Sequence, residues 1–182
     1  MFQYFKERTV SIIFIKGSKY VEACMAAIND TSFIIIGGAM WDNWSIGGNL
    51  TQIYNLETGT WTRMPDMEPG RYGPKCMNYM DGVMVAGGVF GGSGGTVSND
   101  VNFFNLTTNK WQKFPSLNCY CKNCCRSDHI LAPVNDIPTV IGGFSSDYSE
   151  QYINGKWNNW IEQNPKAYSH SFVQVPKDDF HC

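Results

Sequence analysis

The sequence predicts an all-β fold built from repeated four-stranded antiparallel units, and three observations carry that expectation. Composition is the first: of 182 residues, 43% are hydrophobic, 14% aromatic and only 16% charged, with 18 glycines and 8 prolines. That balance fits a turn-rich β protein with aromatic packing, not a helical bundle or a disordered chain. The second is a double glycine after an aliphatic run, found in FIIIGG ending at Gly38, VMVAGG ending at Gly88 and TVIGG ending at Gly143. The third is spacing: Trp61 follows Gly37 by 24 residues, Trp111 follows Gly87 by 24, and the two copies lie 50 apart.

A period of that length belongs to propeller blades, in which each repeat is one small sheet that buries its faces against its neighbours. The repeats are expected at 19–66, 71–116 and 126–161, with a first strand of a fourth at 166–175 and a tail at 176–182. Residues 1–18 hold a strand-like TVSIIFIKG but neither double glycine nor Trp, and read as an extension. In the second copy the strands read KCMNYM, VMVAGG, VNFFNL and KWQKFP, with turns at Asp81-Gly82 and Thr107-Thr108-Asn109. Propellers typically close with 4–8 blades. The chain is therefore expected to be a fragment of a longer protein, or to complete its ring with another chain.

Further residues sit in phase. Arg71 opens RYGPKC and Arg126 opens RSDHIL, with Lys19 and Ala167 at the matching places. Three positions on stand Glu22, Pro74, His129 and His170, and Cys24 matches Cys76. With these, the chain resembles kelch-repeat β-propellers from about Lys19 to Val175. That family's blade opens Arg-x-x-His, carries a hydrophobic strand ending in Gly-Gly, then a Tyr and a Trp about six residues apart. Gly37-Gly38, Gly87-Gly88 and Gly142-Gly143 take the glycine places; Tyr54 and Trp61, Phe104 and Trp111, and Tyr152 and Trp157 take the aromatic ones. The resemblance implies a kelch-type β-propeller fragment of about three four-stranded antiparallel blades plus the first strand of a fourth. Physical chemistry agrees: glycines permit a close backbone approach, and the aromatics supply apolar area between blades. Trp61 and Trp111 are expected to be buried there.

The stretch MVAGGVFGGSGGTVSND, Met84 to Asp100, is not a phosphate loop. No Lys-Ser or Lys-Thr follows Gly95, the third dinucleotide glycine falls on Val97, and a strand-like run follows where a helix is required. A net charge of -2 leaves no basic stripe for nucleic acid. No apolar run approaches the ~20 residues of a membrane helix, and SIIFI is too short for a signal core.

Strand parity puts the connections 39–50, 89–100 and 144–148 on one end of the blades, together with 65–70 and 115–125. Loops carry function more often than scaffolds do, so this long-loop end is the expected binding surface for a protein partner. Trp41, Trp44 and Phe90 are candidate anchors there, and Arg71 and Arg126 are candidates to grip an acidic group. Each has a plainer reading, the aromatics as rim packing and the arginines as internal hydrogen-bond donors. No cofactor, metal site or catalytic set is expected. His129 and His170 hold ordinary repeat places and His181 lies in the tail, unlike the converging ligands of galactose-oxidase-like copper enzymes. The family's other common use, substrate recognition in a cytosolic ubiquitin-ligase adaptor, stands as an alternative to a general interaction module.

CYCKNCC places Cys119, Cys121, Cys124 and Cys125 in one connection. Disulfides within it, or out to Cys76 or Cys182, are the leading expectation, ahead of reduced thiols and of zinc. Asn29, Asn43, Asn49 and Asn105 open N-x-Ser/Thr sequons. Together these features lean toward an extracellular parent, with a cytoplasmic one as the alternative.

Overall fold

The computed structural model describes residues 20–40, 43–91, 95–118, 126–143 and 148–162, and every regular element among them is a strand. The first blade carries β1 (Tyr20–Asn29), β2 (Ser32–Met40), β3 (Asn43–Gly47), β4 (Thr51–Asn55) and β5 (Thr60–Arg63). They pair in the order β1-β2-β4-β5, with β3 added to β2. The second carries β6 (Lys75–Tyr79), β7 (Gly82–Ala86), a small hairpin of β8 (Val89–Phe90) and β9 (Thr96–Val97), then β10 (Val101–Asn105) and β11 (Lys110–Phe114). Its main sheet runs β6-β7-β10-β11. The third runs β12-β13-β14-β15, from β12 (Ile130–Val134) and β13 (Ile137–Ile141) to β14 (Tyr148–Ile153) and β15 (Lys156–Glu162). All neighbours are antiparallel. The innermost strands β1, β6 and β12 pack side by side, so the sheets form an arc of propeller-like blades. The expected strand 166–175 lies outside the described residues.

Strand β7 shows why its sequence is apolar without alternation. Val83 and Val85 face the first blade, beside Ile34, Ile36 and Met67. Met84 and Ala86 face the third, beside Leu131, Val140 and Trp157. Both sheet faces are buried, so VMVA reads as a continuous apolar run. Each such side chain contributes roughly 1.5–3 kcal/mol on burial. The far turns are held by Asn55 and Asn105, whose Oδ1 atoms accept the N–H groups of Thr58 and Thr108 at 2.9 and 2.7 Å. Asn favours such turns because its side chain can replace a backbone acceptor.

The aromatic places join blades in a specific way. Trp111 Nε1 donates to Pro65 O of the first blade at 2.8 Å, and Trp157 Nε1 donates to Pro115 O of the second at 3.0 Å. Trp157 is buried, but Trp61 and Trp111 are half-buried, which corrects the expectation of full burial. Trp111 stands at the rim of its interface, and Trp61 lies on the face of the first blade opposite Ile34 and Ile36, where no described blade packs. Trp61 packs against Tyr54 with ring centroids 4.6 Å apart and the rings tilted by 42°.

Cys24 and Cys76 form a disulfide between β1 and β6, with Cα atoms 5.8 Å apart. Two sequence expectations are corrected by it. A loop disulfide reaching out to Cys76 is excluded, and Cys24 is not the counterpart of Cys76. A β-bulge between Ala27 and Asn29 shifts β1. Cys24 pairs with Ile36, and Lys75 pairs with Ala86 at the equivalent place, so Cys24 corresponds to Lys75 and Met25 to Cys76. Equivalent residues point the same way around the arc and cannot meet across a blade boundary. The shifted register turns Cys24 toward the second blade and Cys76 toward the first. The same correction replaces the Glu22–Pro74–His129 match by Ala23, Pro74 and His129.

Candidate functional site

The double glycines mark the corner where each blade meets the next. Gly37 and Gly38 have φ of 75° and 91°, and Gly87 and Gly88 have 62° and 95°, a region that side chains disfavour. The first glycine faces the following blade: a Cβ on Gly87 would lie 2.4 Å from Arg126 O and 2.5 Å from His129 Cε1. The second faces its own first strand, where a Cβ on Gly88 would lie 2.8 Å from Tyr72 O. Gly38 N–H donates to Arg71 O and Gly88 N–H to Arg126 O, each at 3.0 Å. Gly143, with φ of 109°, repeats the approach to Ser127 O at 2.8 Å, and Gly142 O accepts from Arg126 Nη1 at 2.7 Å. The pair ends its strand in the second and third blades, but β2 runs through Gly37-Gly38 to Met40.

Arg71 and Arg126 are corrected as partner-gripping candidates: their relative exposures are 1% and 0%. Arg126 is engaged at all three of its nitrogens. Its Nε and Nη2 donate to Glu150 Oε1 at 3.1 and 2.9 Å, its Nη1 donates to Gly142 O and Tyr148 O, and its plane lies 4.6 Å from the Tyr148 ring centre. Glu150 Oε2 accepts from Asn118 N at 2.9 Å and Nδ2 at 2.7 Å. At Arg71 the carboxylate is displaced. Asn102, at the place of Glu150, accepts from Nη2 at 2.8 Å, while Asp100 Oδ2 lies 3.7 Å from Nη1. Nε and Nη1 are buried without a hydrogen-bond partner. Burial lowers the Arg71 pKa to about 10, against the pull of Asp100.

Above these corners stand the long connections. Residues 39–50 and 89–100 are not plain loops as expected. Their described residues form the β2–β3 extension and the β8–β9 pair, because each continues strand pairing past its glycine pair. Their bases are tied to the next blade's entry by Arg71 N–H donating to Gly48 O at 2.6 Å and by Arg126 N–H donating to Ser98 O at 3.3 Å. Phe90 is half-buried, its ring centre 5.9 Å from the Arg71 guanidinium carbon. Trp44 lies on β3, and Trp41 lies outside the described residues, as do Cys119, Cys121, Cys124 and Cys125. The opposite end has short turns, with Leu56 and Met80 exposed.

The inner strands line an open cleft of about 210 Å³. Three equivalent layers form its wall: Ala23, Pro74 and His129; Cys24, Lys75 and Ile130; Met25, Cys76 and Leu131. His129 is fully buried, and neither ring nitrogen makes a hydrogen bond of normal geometry, although a backbone group of Ala86 lies close and opposes the loss of its proton. Burial first, then the Arg126, Lys75 and Arg71 charges, push its pKa down to about 3, so it is neutral at pH 7. One place before it, Glu22, Gly73 and Asp128 all have positive φ, at 55°, 62° and 52°. Glu22 is raised above the ordinary carboxylate range by burial and by Asp128, and Lys75 opposes this.

Among the sequons, Asn105 is corrected as a glycan acceptor. Its side chain is buried and its Nδ2, the atom a glycan would take, donates to Asp81. Asn49 Nδ2 donates to Asp66 at 3.1 Å, and Asn29 is exposed beside its turn. Asn43 lies on β3. Sequence reasoning missed Glu150, Asn102 and Asn118. The available signal was phase: Asn102 and Glu150 stand two residues before the aromatics Phe104 and Tyr152.

No protein-family model matches the chain, and no curated protein is similar to it. Among solved structures, that of YjhT is similar, with a TM-score of 0.65 at 15% identity over 84% of this chain and 54% of that one. This likeness shows the fold alone. The chain spans about half the length of that structure.

Proposed function

We propose that this chain is a kelch-type protein-interaction module that holds a protein partner on the end bearing the β2–β3 extension and the β8–β9 hairpin. One observation carries the reading: both long connections rise from the same end, and hydrogen bonds to the following blade's entry fix their bases. A rigid scaffold beneath projecting segments is the arrangement by which loops bind with specificity. The buried arginines stiffen that base and do not touch the partner. Trp41, Trp44 and Phe90 are the anchors, each contributing about 2 kcal/mol or more when fully desolvated.

Affinity capture from the source tissue, quantified by mass spectrometry, tests this. Partners held by the native chain are expected to be lost when Trp41, Trp44 and Phe90 are changed together to Ser. They are expected to remain when Leu56 and Met80, exposed at the opposite end, are changed to Ser. The reverse result places binding on the turn end.

A further inference from the structure

We propose that the Cys24–Cys76 disulfide is a reducible clasp between the first two blades, opened from the inner cleft by a dithiol reductant. Its placement differs from that of a staple sealed in a core. It joins β1 to β6 across a blade boundary, 52 residues apart in sequence. Cys24 sits in the apolar cluster between the blades, but Cys76 is only half-buried, and both residues line the open cleft of about 210 Å³. The third blade has Leu131 in the Cys76 place, so its boundary with the second blade has no such bond at that layer. Among the described residues, only the boundary between the first two blades carries such a bond.

The exchange balances with a dithiol as co-reactant. One reductant thiolate bonds to Cys76 Sγ, the less buried sulfur, as the S–S bond breaks and the electron pair passes to Cys24 Sγ, which takes up a proton. The second reductant thiolate then attacks its own chain's sulfur in the mixed disulfide and releases Cys76, leaving a cyclic disulfide. Two electrons and two protons pass to the protein. The Lys75 ammonium lines the same cleft, and a neighbouring cation favours the thiolate form. Closing a loop of this length restrains the separated chain strongly, so opening the bond weakens the first blade's hold on the second. Trp111 to Pro65 and Gly38 to Arg71 remain as hydrogen bonds across that boundary.

The test is alkylation and amide exchange on the whole native chain, with and without dithiothreitol. Cys24 and Cys76 are expected to become alkylated without denaturant, and amides of β1 and β2 to exchange at least about tenfold faster, while β12–β15 are unchanged. The Cys24→Ser, Cys76→Ser double variant is expected to exchange fast in β1 and β2 from the start and to ignore the reductant. Alkylation that requires denaturant overturns the proposal. So does unchanged protection of β1 and β2 after reduction, or an equal response in the double variant, which assigns the effect to other cysteines.

Discussion

Arg71 and Arg126 occupy equivalent corners of the second and third blades, and their charges are balanced differently. Arg126 meets a carboxylate at its own strand level, with Glu150 accepting two of its N–H groups. Arg71 meets an amide there, and its carboxylate, Asp100, sits two residues earlier, only 16% exposed and 3.3 Å from Lys113. The third blade's corner is closed on itself. The second blade's corner shares its counter-charge with a surface lysine. The lesson is that a repeated arginine can fix the backbone in both places through its carbonyl, while its side chain has different consequences in each.

The largest effect is expected at the glycine facing the complete corner. Gly87→Val presses on Arg126 O and on His129 and also strains a backbone with φ of 62°. It should cost on the order of 4 kcal/mol or more, seen as loss of soluble folded protein. Gly91→Val, with open space around its Cβ position, carries the strain alone and should remain soluble. Equal yields would break the distinction between corner and hairpin glycines.

Next come the arginines themselves. Arg126→Met strands a fully buried Glu150 and should cost about 3–5 kcal/mol. Arg71→Met leaves Asp100 still paired with Lys113 and removes a cation that burial already disfavours. Its cost should be about 1–2 kcal/mol, a buried hydrogen bond's worth. Chemical denaturation of the two variants measures the contrast, and similar losses would mean the corners are equivalent.

A smaller and graded effect belongs to His129, which among the described blades only the third carries, opposite Pro74 and Ala23. Its folded pKa of about 3 lies below the ordinary 6.5. Between these values the unfolded chain binds the extra proton, so stability is full above about pH 6.5 and falls as pH drops toward 3. The slope from this one group approaches about 1.4 kcal/mol per pH unit. Denaturation midpoints of the native chain and of His129→Gln across pH 4–7 should diverge, with the variant flatter. Parallel curves would refute the assignment.

The strands, the glycine corners and the aromatic places were legible in the sequence because each is a local pattern: an aliphatic run, a Gly-Gly, a Trp at constant spacing. Three features were not. Aligning the repeats on Lys19 and Arg71 sets Cys24 opposite Cys76, one residue away from the true match of Met25. The bulge between Ala27 and Asn29 that turns Cys24 toward the second blade leaves no mark in composition, so their pairing was missed. Glu150 looks like a solvent-facing charge within YSEQYI until Arg126 is brought to it from 24 residues away. Arg71 and Arg126 can be read as grips for a partner or as internal hydrogen-bond donors, and the second reading holds for Arg126. Their carboxylate and amide partners were not visible, and charged side chains are rarely buried unless paired. The partners that bury them are set by blade-to-blade packing and not by local sequence.

A double-mutant cycle on Arg126 and Glu150, run beside one on Arg71 and Asn102, tests the central claim most directly. With Arg126→Met and Glu150→Leu combined, most of the single-variant loss should be recovered, giving a coupling of several kcal/mol, because no buried charge is left alone. The Arg71→Met, Asn102→Leu cycle should give a coupling of about 1 kcal/mol. Equal couplings, or a combined Arg126–Glu150 variant that loses the sum of its two single losses, would contradict the account.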